Sequence, residues 1–147
     1  MKKAMLPMYA VTAGLLILAC NKDHVLQTPQ ASPCTNGRQY DTTSMANMLV
    51  GTWKFKTWFC GECVNPGWHY PNKDVEVTFT ASRTFTLKEN AVTVAQGSWY
   101  FQSLFSNYWG LRTTSSTDYL NGGILFCDSG VEFSDSYIDG PDNYFEK

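Results

Sequence analysis

One stretch of the chain, residues 49–60 with the sequence LVGTWKFKTWFC, constrains the fold more than any other. Every second position in its later part carries a ring or a β-branched side chain, namely Trp53, Phe55, Thr57 and Phe59. The positions between them are polar until Trp58, which places a large ring on the other face near the end. Because successive side chains of a strand point to opposite faces, this alternation predicts a β-strand with one buried side.

The rest of the chain repeats this alternation in shorter segments. Residues 74–80 and 84–88 carry apolar side chains at every second position, and Asn90 with Ala91 after them is typical of a hairpin turn. Further candidate strands follow at residues 92–101, 104–114, 119–127, 131–137 and 143–147. Eight short strands with little helix predict an all-β domain, either an up-and-down antiparallel barrel or a sandwich.

One of these strands changes phase along its length. Apolar residues stand first at Val92 and Val94, and then at Trp99 and Phe101. A shift from even to odd positions needs one extra residue in the strand. Gly97, which lies between the two pairs, is the expected position of that β-bulge.

The first nineteen residues predict a secretory leader. Lys2 and Lys3 give it a positive start, and residues 6–19 are largely apolar but too short for a comfortable transmembrane helix. It ends in the sequence LILAC, which resembles a bacterial lipobox, so we expect a signal peptide over residues 1–19 and lipidation at Cys20. An ordinary signal peptide is the alternative. Fatty acyl chains such as palmitate on Cys20 would anchor the chain to the bacterial outer membrane, on its periplasmic or its surface face.

The composition divides the mature chain into two parts. Residues 22–43 are polar, rich in Gln, Thr, Pro and Ser, and without periodicity, which predicts a flexible tether over residues 20–43. The folded domain is expected over residues 44–147. It begins with a short helical segment, for which Thr43 or Ser44 is the expected N-cap and Gly51 the stop.

A family resemblance appears where this helix leads into the first strand. The tripeptide Gly51-Thr52-Trp53 is similar to the Gly-x-Trp motif of lipocalins, and residues 122–127 and 139–147 resemble the small lipocalin-like lipoproteins of Bacteroidota. The resemblance spans roughly residues 49–147 and implies a calycin-type eight-stranded barrel. It also implies that Gly51 and Trp53 are structural, with Trp53 closing one end. No arginine follows Arg112 to stack on that ring, and only Lys147 is available near the C-terminus.

Four cysteines remain beyond Cys20, namely Cys34, Cys60, Cys63 and Cys127. Cys60 and Cys63 have the spacing of a thioredoxin-type redox centre and of half a zinc site, but a turn sequence follows them instead of a helix. Outside the cytoplasm, an even number of cysteines in a small domain is typical of disulfides. We expect Cys127 to bond with Cys60 or Cys63 and Cys34 to bond with the other, which excludes a Cys60–Cys63 bond.

The sequence predicts no catalytic site. A formal charge of −2 and a pI near 5.6, without a basic stripe or a phosphate-binding loop, do not favour nucleic acid as a partner. Of the two histidines, His24 lies in the tether, and His69 is expected as a solvated side chain in the loop after the first strand. No Gly-x-Ser-x-Gly elbow accompanies it. We therefore expect neither an enzyme nor a bound cofactor or metal.

Aromatic side chains, 15% of the chain, are the remaining functional candidates. Barrel mouths are common ligand sites, and the candidates for such a site are Trp58, Trp68, Tyr100 and Trp109. The favoured interpretation is a monomeric module that binds a small, largely apolar ligand. One alternative is a solidly packed barrel that serves the cell envelope as an interaction or structural protein. A third is an envelope redox protein that uses Cys60 and Cys63.

Overall fold

The computed structural model describes residues 32–135, 138 and 140–147. The expected signal peptide, Cys20, His24 and residues 21–31 lie outside this part of the chain. Within it, one helix, α1 (Thr42–Leu49), precedes nine strands, which are β1 (Gly51–Cys60), β2 (Gly67–His69), β3 (Val75–Phe79), β4 (Thr84–Glu89), β5 (Val92–Phe105), β6 (Tyr108–Thr113), β7 (Gly122–Phe126), β8 (Gly130–Ser134) and β9 (Asp142–Glu146).

Eight of these strands close into an antiparallel barrel. β1 pairs with β3, every strand from β3 to β9 pairs with the next, and β9 pairs back with β1. The prediction of an all-β, eight-stranded up-and-down barrel with a short N-terminal helix is confirmed. The additional strand β2 pairs with the last three residues of β1, in a segment that the sequence analysis assigned to a loop.

The two ends of the barrel are covered differently. β1 begins beside α1, whose buried Met45 and Leu49 join the barrel core, and we call this the closed end. β1 finishes at Cys60, beside β2 and the start of β9, and we call this the open end. The interior between them is packed with rings and branched aliphatic side chains, including Phe79, Phe85, Leu87, Leu111, Ile124, Val131 and Phe133.

A β-bulge in β1 corrects the predicted inward face. Against β9, Phe55 lies opposite Phe145, but Thr57 lies opposite Tyr144, so the register shifts by one residue at this point. Directly opposite residues share a face, and Phe145 belongs to the core. Trp53 and Phe55 are therefore inside as predicted, whereas Thr57 and Phe59 are outside. The same shift turns Trp58 inward, where it packs against the core.

The bulge in β5 lies earlier than predicted. Leu87 of β4 is opposite Ala95, and Lys88 is opposite Thr93, so Val94 is the extra residue and Gly97 pairs regularly. Val92 and Val94, expected inside, are 65% and 50% exposed. Ala95 packs against the core in their place, because the bulge changes the phase before the strand reaches Gly97.

The start of α1 also differs from the expectation. Asp41 is the N-cap, and its carboxylate accepts hydrogen bonds from the backbone amides of Thr43 and Ser44. Aspartate, serine and threonine are all favoured N-cap residues, so the sequence alone could not distinguish Asp41 from Thr43 and Ser44. The stop at Gly51 is confirmed, since its φ of +132° lies in a region that side chains disfavour.

Trp53 closes the barrel at the end beside α1. Its ring is 4% exposed, and its indole N–H donates to the carbonyl of Leu49 at 2.7 Å. The ammonium of Lys147 lies 4.7 Å from the ring centroid and donates to the carbonyls of Met48 and Val50. The C-terminal lysine thus supplies a cation on this ring while binding orphan carbonyls at the end of the helix.

Residues 32–41, which we call the strap, were expected to belong to a flexible tether but pack against the barrel. The backbone of Arg38 exchanges two hydrogen bonds with Phe126 of β7. The side-chain amide of Gln39 donates to the carbonyls of Trp109 and Ile124, and its oxygen accepts from the Trp109 amide. β6 and β7 pair through only two residues each. Gln39 therefore occupies the gap where these two strands diverge. Because the strap is bonded to the barrel in this way, the flexible part of the tether ends before residue 43.

The predicted disulfide pairing is wrong. The bonds are Cys34–Cys127, with a Cα–Cα distance of 5.1 Å, and Cys60–Cys63, with 5.7 Å. The predicted bond required Cys127, at the end of β7, to lie near the end of β1. β1 and β7 instead run in opposite directions, which places Cys60 at the open end and Cys127 at the closed end.

Candidate ligand-binding site

A cavity of about 490 Å³ opens at the open end of the barrel. Its floor and walls come from β1, β2, β9 and the loops beside them, with the lining residues Phe55, Trp58, His69, Tyr70, Pro71, Asn72, Lys73, Asp118, Tyr119, Pro141 and Asn143. This volume lies within the range typical of small-molecule sites. Most of the interior is packed, so the cavity is a cup in the mouth and not a channel through the barrel.

Trp58 forms one wall of this cup because of the bulge in β1. Its ring stacks on the imidazole of His69, with centroids 4.3 Å apart and planes 23° apart. β2 holds His69 in place, since the carbonyl of His69 accepts a hydrogen bond from Thr57 at 2.6 Å. The ring nitrogen Nε2 lies 2.9 Å from the carbonyl oxygen of Asn65. His69 therefore lies in the strand β2 and not in a loop as expected, and its half-buried ring forms part of the cup wall.

Tyr119 forms the facing wall and is tied into a short polar chain. Its ring meets Phe55 edge to face at 5.3 Å, and its hydroxyl donates to Glu89 at 2.8 Å. Lys73 binds the other carboxylate oxygen of Glu89 at 2.6 Å. The hydrogen bond from Lys73, followed by that from Tyr119, lowers the pKa of Glu89. Burial and then Glu89 raise the pKa of Tyr119, so the phenol stays protonated at neutral pH.

The polar groups of the cup lie at its rim and beside its floor. Asn143 is 5% exposed, and its amide nitrogen donates to the carbonyl of Asp118 at 3.1 Å. This bond joins β9 to the loop that carries Tyr119. The charge of Lys73 is paired with Glu89. The site thus combines an apolar interior with a few polar groups, among them the Asp118 carboxylate and the paired Lys73, which suits a largely apolar ligand with one polar end.

The four aromatic candidates from the sequence do not form one site. Trp58 lines the cup, whereas Trp68 lies on the outer wall of the open end against Phe59, with ring centroids 5.3 Å apart. Tyr100 and Trp109 line a shallow crevice at the closed end. Spacing along the chain could not separate them, because each position depends on strand direction and on the bulges.

Other residues of the cup were not among the four candidates chosen from the sequence. Phe55 was predicted to point into the barrel but was not proposed as a ligand contact. Asn143 lies in the C-terminal strand, where nothing in the sequence indicated a polar site residue. Tyr119 precedes β7 in a segment that was assigned to the strand itself. The one usable signal was the aromatic cluster Trp68-His69-Tyr70 after the first strand.

Comparisons with known proteins give no match that indicates a function. No family model matches the chain, and no match is found among curated proteins or solved structures. Among the described residues, no three His, Cys, Asp or Glu side chains are grouped to hold a metal ion. In the same residues, no helix has the length and apolar character needed to cross a membrane.

Proposed function

We propose that this chain is a lipid-anchored envelope protein whose lipocalin-like barrel binds a small, largely apolar ligand in the cup at its open end. The cup itself carries the proposal. A space of about 490 Å³ lies at the mouth of a barrel whose remaining interior is filled. Its walls are rings held in place by stacking and hydrogen bonds, so little ordering is needed when a ligand enters.

The chemistry of the walls selects the ligand class. Phe55, Trp58 and Tyr119 offer ring faces and edges that favour rings or alkyl chains. His69 and Asn143 place polar atoms near these rings, so a ligand with a single hydrogen-bonding end fits better than a hydrocarbon. The proposal includes no reaction, cofactor or metal: the site binds and releases its ligand unchanged.

A second candidate function has support at the other end of the molecule. Tyr100 and Phe105 in the β5–β6 hairpin are 52% and 55% exposed. Exposed rings are common in protein–protein interfaces. An envelope interaction module that uses this hairpin would need no ligand in the cup, and loss of ligand binding would leave its activity intact.

The anchor is proposed on the sequence and has indirect support. The lipobox-like LILAC places the acyl chains on Cys20, and two disulfides are typical of a protein outside the cytoplasm. We propose an outer-membrane location, on the periplasmic or the surface face, for a monomer. Cys20→Ser should abolish fatty-acid labelling and release the protein from the membrane fraction. Retained label with retained membrane association would contradict the anchor.

A native mass spectrum tests ligand binding directly. The full chain, purified from its own host, should carry an additional non-covalent mass of a few hundred daltons that is lost on activation. The same preparation of Trp58→Ala should carry less of it, whereas Tyr100→Ala, changed at the closed end, should carry as much as the parent. A parent spectrum without any added mass, together with failure to bind apolar probes, would overturn the proposal.

A further inference from the structure

The outer wall at the open end carries an aromatic surface that lies mostly outside the cup. Phe59 and Trp68 lie side by side on β1 and β2, and Tyr70 beyond them is 69% exposed. Val64, in the loop that precedes β2, is 99% exposed. We call these four side chains the rim patch. It surrounds one side of the cup's mouth, where Tyr70 contributes to both surfaces.

The charged residues around the rim patch are few and acidic on balance, since Asp142 lies directly opposite Phe59 on β9. Lys56 and Glu146 on the same wall form an ion pair at 3.4 Å, and they share a crevice of about 360 Å³ with Trp68 and Tyr70. Glu62 is the charged residue of the loop 61–66. Tryptophan and tyrosine are enriched at membrane–water interfaces, because their rings are apolar and each carries one polar group. Because basic residues are not in excess here, such a surface suits a zwitterionic bilayer better than an anionic one.

The strap leads the chain toward this same patch. Cys34 is bonded to Cys127 at the closed end, and Pro33 lies in the crevice formed by Trp68 and Tyr70. The chain, followed backward, therefore leaves the closed end and runs along the outer wall toward the open end. Twelve residue steps separate Ser32 from Cys20, which is at most about 40 Å of chain at roughly 3.3–3.6 Å per residue. A lipid on Cys20 would hold the patch within reach of the bilayer.

We propose that the rim patch is a bilayer-contact surface, which turns the mouth of the cup toward the membrane that holds the anchor. The inference rests on the proposed function, since it requires the acyl chains on Cys20. It adds an orientation: the cup exchanges its ligand with the bilayer surface and not with bulk water. A barrel oriented this way needs no opening at its closed end.

Fluorescence quenching on vesicles tests the orientation. The acylated full chain from its host is reconstituted into phosphatidylcholine vesicles whose acyl chains carry bromine close to the headgroup, which quenches tryptophan only at short range. The parent should be quenched, and Trp68→Phe should lose at least half of that quenching. Trp109→Phe, a change at the closed end, should keep all of it. Quenching that depends on Trp109, or no quenching of vesicle-bound protein, would overturn the rim patch.

A second set of variants tests the rim patch without changing any tryptophan. Val64→Asp combined with Tyr70→Asp adds charge at exposed positions and should reduce the quenching at least twofold, whereas Tyr100→Asp should not. Equal effects of both would also overturn the proposal. If the chain carries no acyl group and does not float with vesicles, the anchor and the rim patch fail together. Ligand binding by the cup is measured separately by dye titration, so it can succeed or fail on its own.

Discussion

The two ends of the barrel use tryptophan in opposite ways. At the closed end, Trp53 and Trp99 are buried, and each indole N–H donates to a backbone carbonyl. A cation covers each ring, Lys147 at 4.7 Å from the Trp53 centroid and Arg83 at 4.3 Å from that of Trp99. In both residues the indole N–H is paired and a cation lies over the ring. These tryptophans belong to the scaffold.

At the open end, Trp58 is packed on one side only. Trp58 is half-buried and stacks on His69, but the same ring borders the cup of about 490 Å³. On the proposed function, stability and ligand recognition are separated along the barrel axis. A change at the closed end should alter the free energy of unfolding, and a change at the open end should alter binding.

Removal of the closed-end disulfide should give the largest effect. Cys34 and Cys127 are 93 residues apart, and a bond that closes a loop of this length contributes about 4–5 kcal/mol by restricting the unfolded chain. Cys34→Ser combined with Cys127→Ser should lower the free energy of unfolding by that amount, as measured by urea denaturation. A loss below about 1 kcal/mol would contradict the role of the strap as part of the fold.

Truncation of the closed-end tryptophan should come next. Trp53→Ala leaves a cavity in the core and removes the ring beneath Lys147, so it should lower the free energy of unfolding by about 3–5 kcal/mol. The matched change, Trp58→Ala, removes a half-buried ring and should cost less than half as much. Thermal melts of the two variants decide the matter. If Trp58→Ala unfolds while Trp53→Ala melts like the parent, the assignment of the two ends is inverted.

The open-end disulfide should matter less than its counterpart. Cys60 and Cys63 are only three residues apart, and closing so short a loop contributes about 2 kcal/mol on the same entropic argument. Cys60→Ser combined with Cys63→Ser should therefore lower stability about half as much as loss of Cys34–Cys127. Urea denaturation of both double variants under one condition measures the ratio. Equal losses would show that the two ends are not different in this respect.

The next prediction concerns the pH dependence of the free energy of unfolding. Glu132 faces the strap on β8, and burial, followed by the nearby Asp142, raises its pKa from an ordinary 4.5 to about 7, against a hydrogen bond from Ser32 that lowers it. The folded chain thus keeps a proton that the unfolded chain loses near pH 4.5. This contribution to stability is complete below pH 4.5 and is lost as the pH rises to about 7.

Glu132→Gln should remove that dependence. The variant should gain stability over the parent at pH 8, and the difference should shrink steadily as the pH falls toward 4.5. The unfolding free energies of both chains, measured across this range, provide the check. Asp135→Asn provides a comparison, because burial also raises the pKa of that half-buried carboxyl, against the nearby Arg112 that lowers it, while the hydrogen bond from Ser32 goes to Glu132. A constant difference at all pH values would show that Glu132 is not buried by the strap.

Much of the fold could be predicted because alternation is a local property. The inward positions of Trp53 and Phe55, the hairpin at Asn90 and the stop at Gly51 each depend on a few neighbouring residues. The bulges at Lys56 and Val94 could not be located in this way, although the phase change along β5 did predict a bulge in that strand. They arise where a strand must match its neighbour across the barrel, and that neighbour lies far away in the sequence.

The site was predicted less well for the same reason. Trp58 was correctly expected at the mouth of the barrel, but on the outward, polar face of β1. The bulge in β1 turns its ring inward instead. The pairing of Cys34 with Cys127 depends on the direction of β7, and the contacts of Gln39 depend on the gap between β6 and β7. Both are properties of the closed barrel, which the sequence alone does not specify.

A titration with a neutral apolar dye tests the separation of the two ends most directly. N-phenyl-1-naphthylamine should bind the full chain at a single saturable site. Trp58→Ala should weaken that binding at least tenfold, and Trp109→Ala, an equally half-buried tryptophan at the closed end, should leave it unchanged. The account is contradicted if the parent shows no saturable binding, or if Trp109→Ala weakens it as much as Trp58→Ala does.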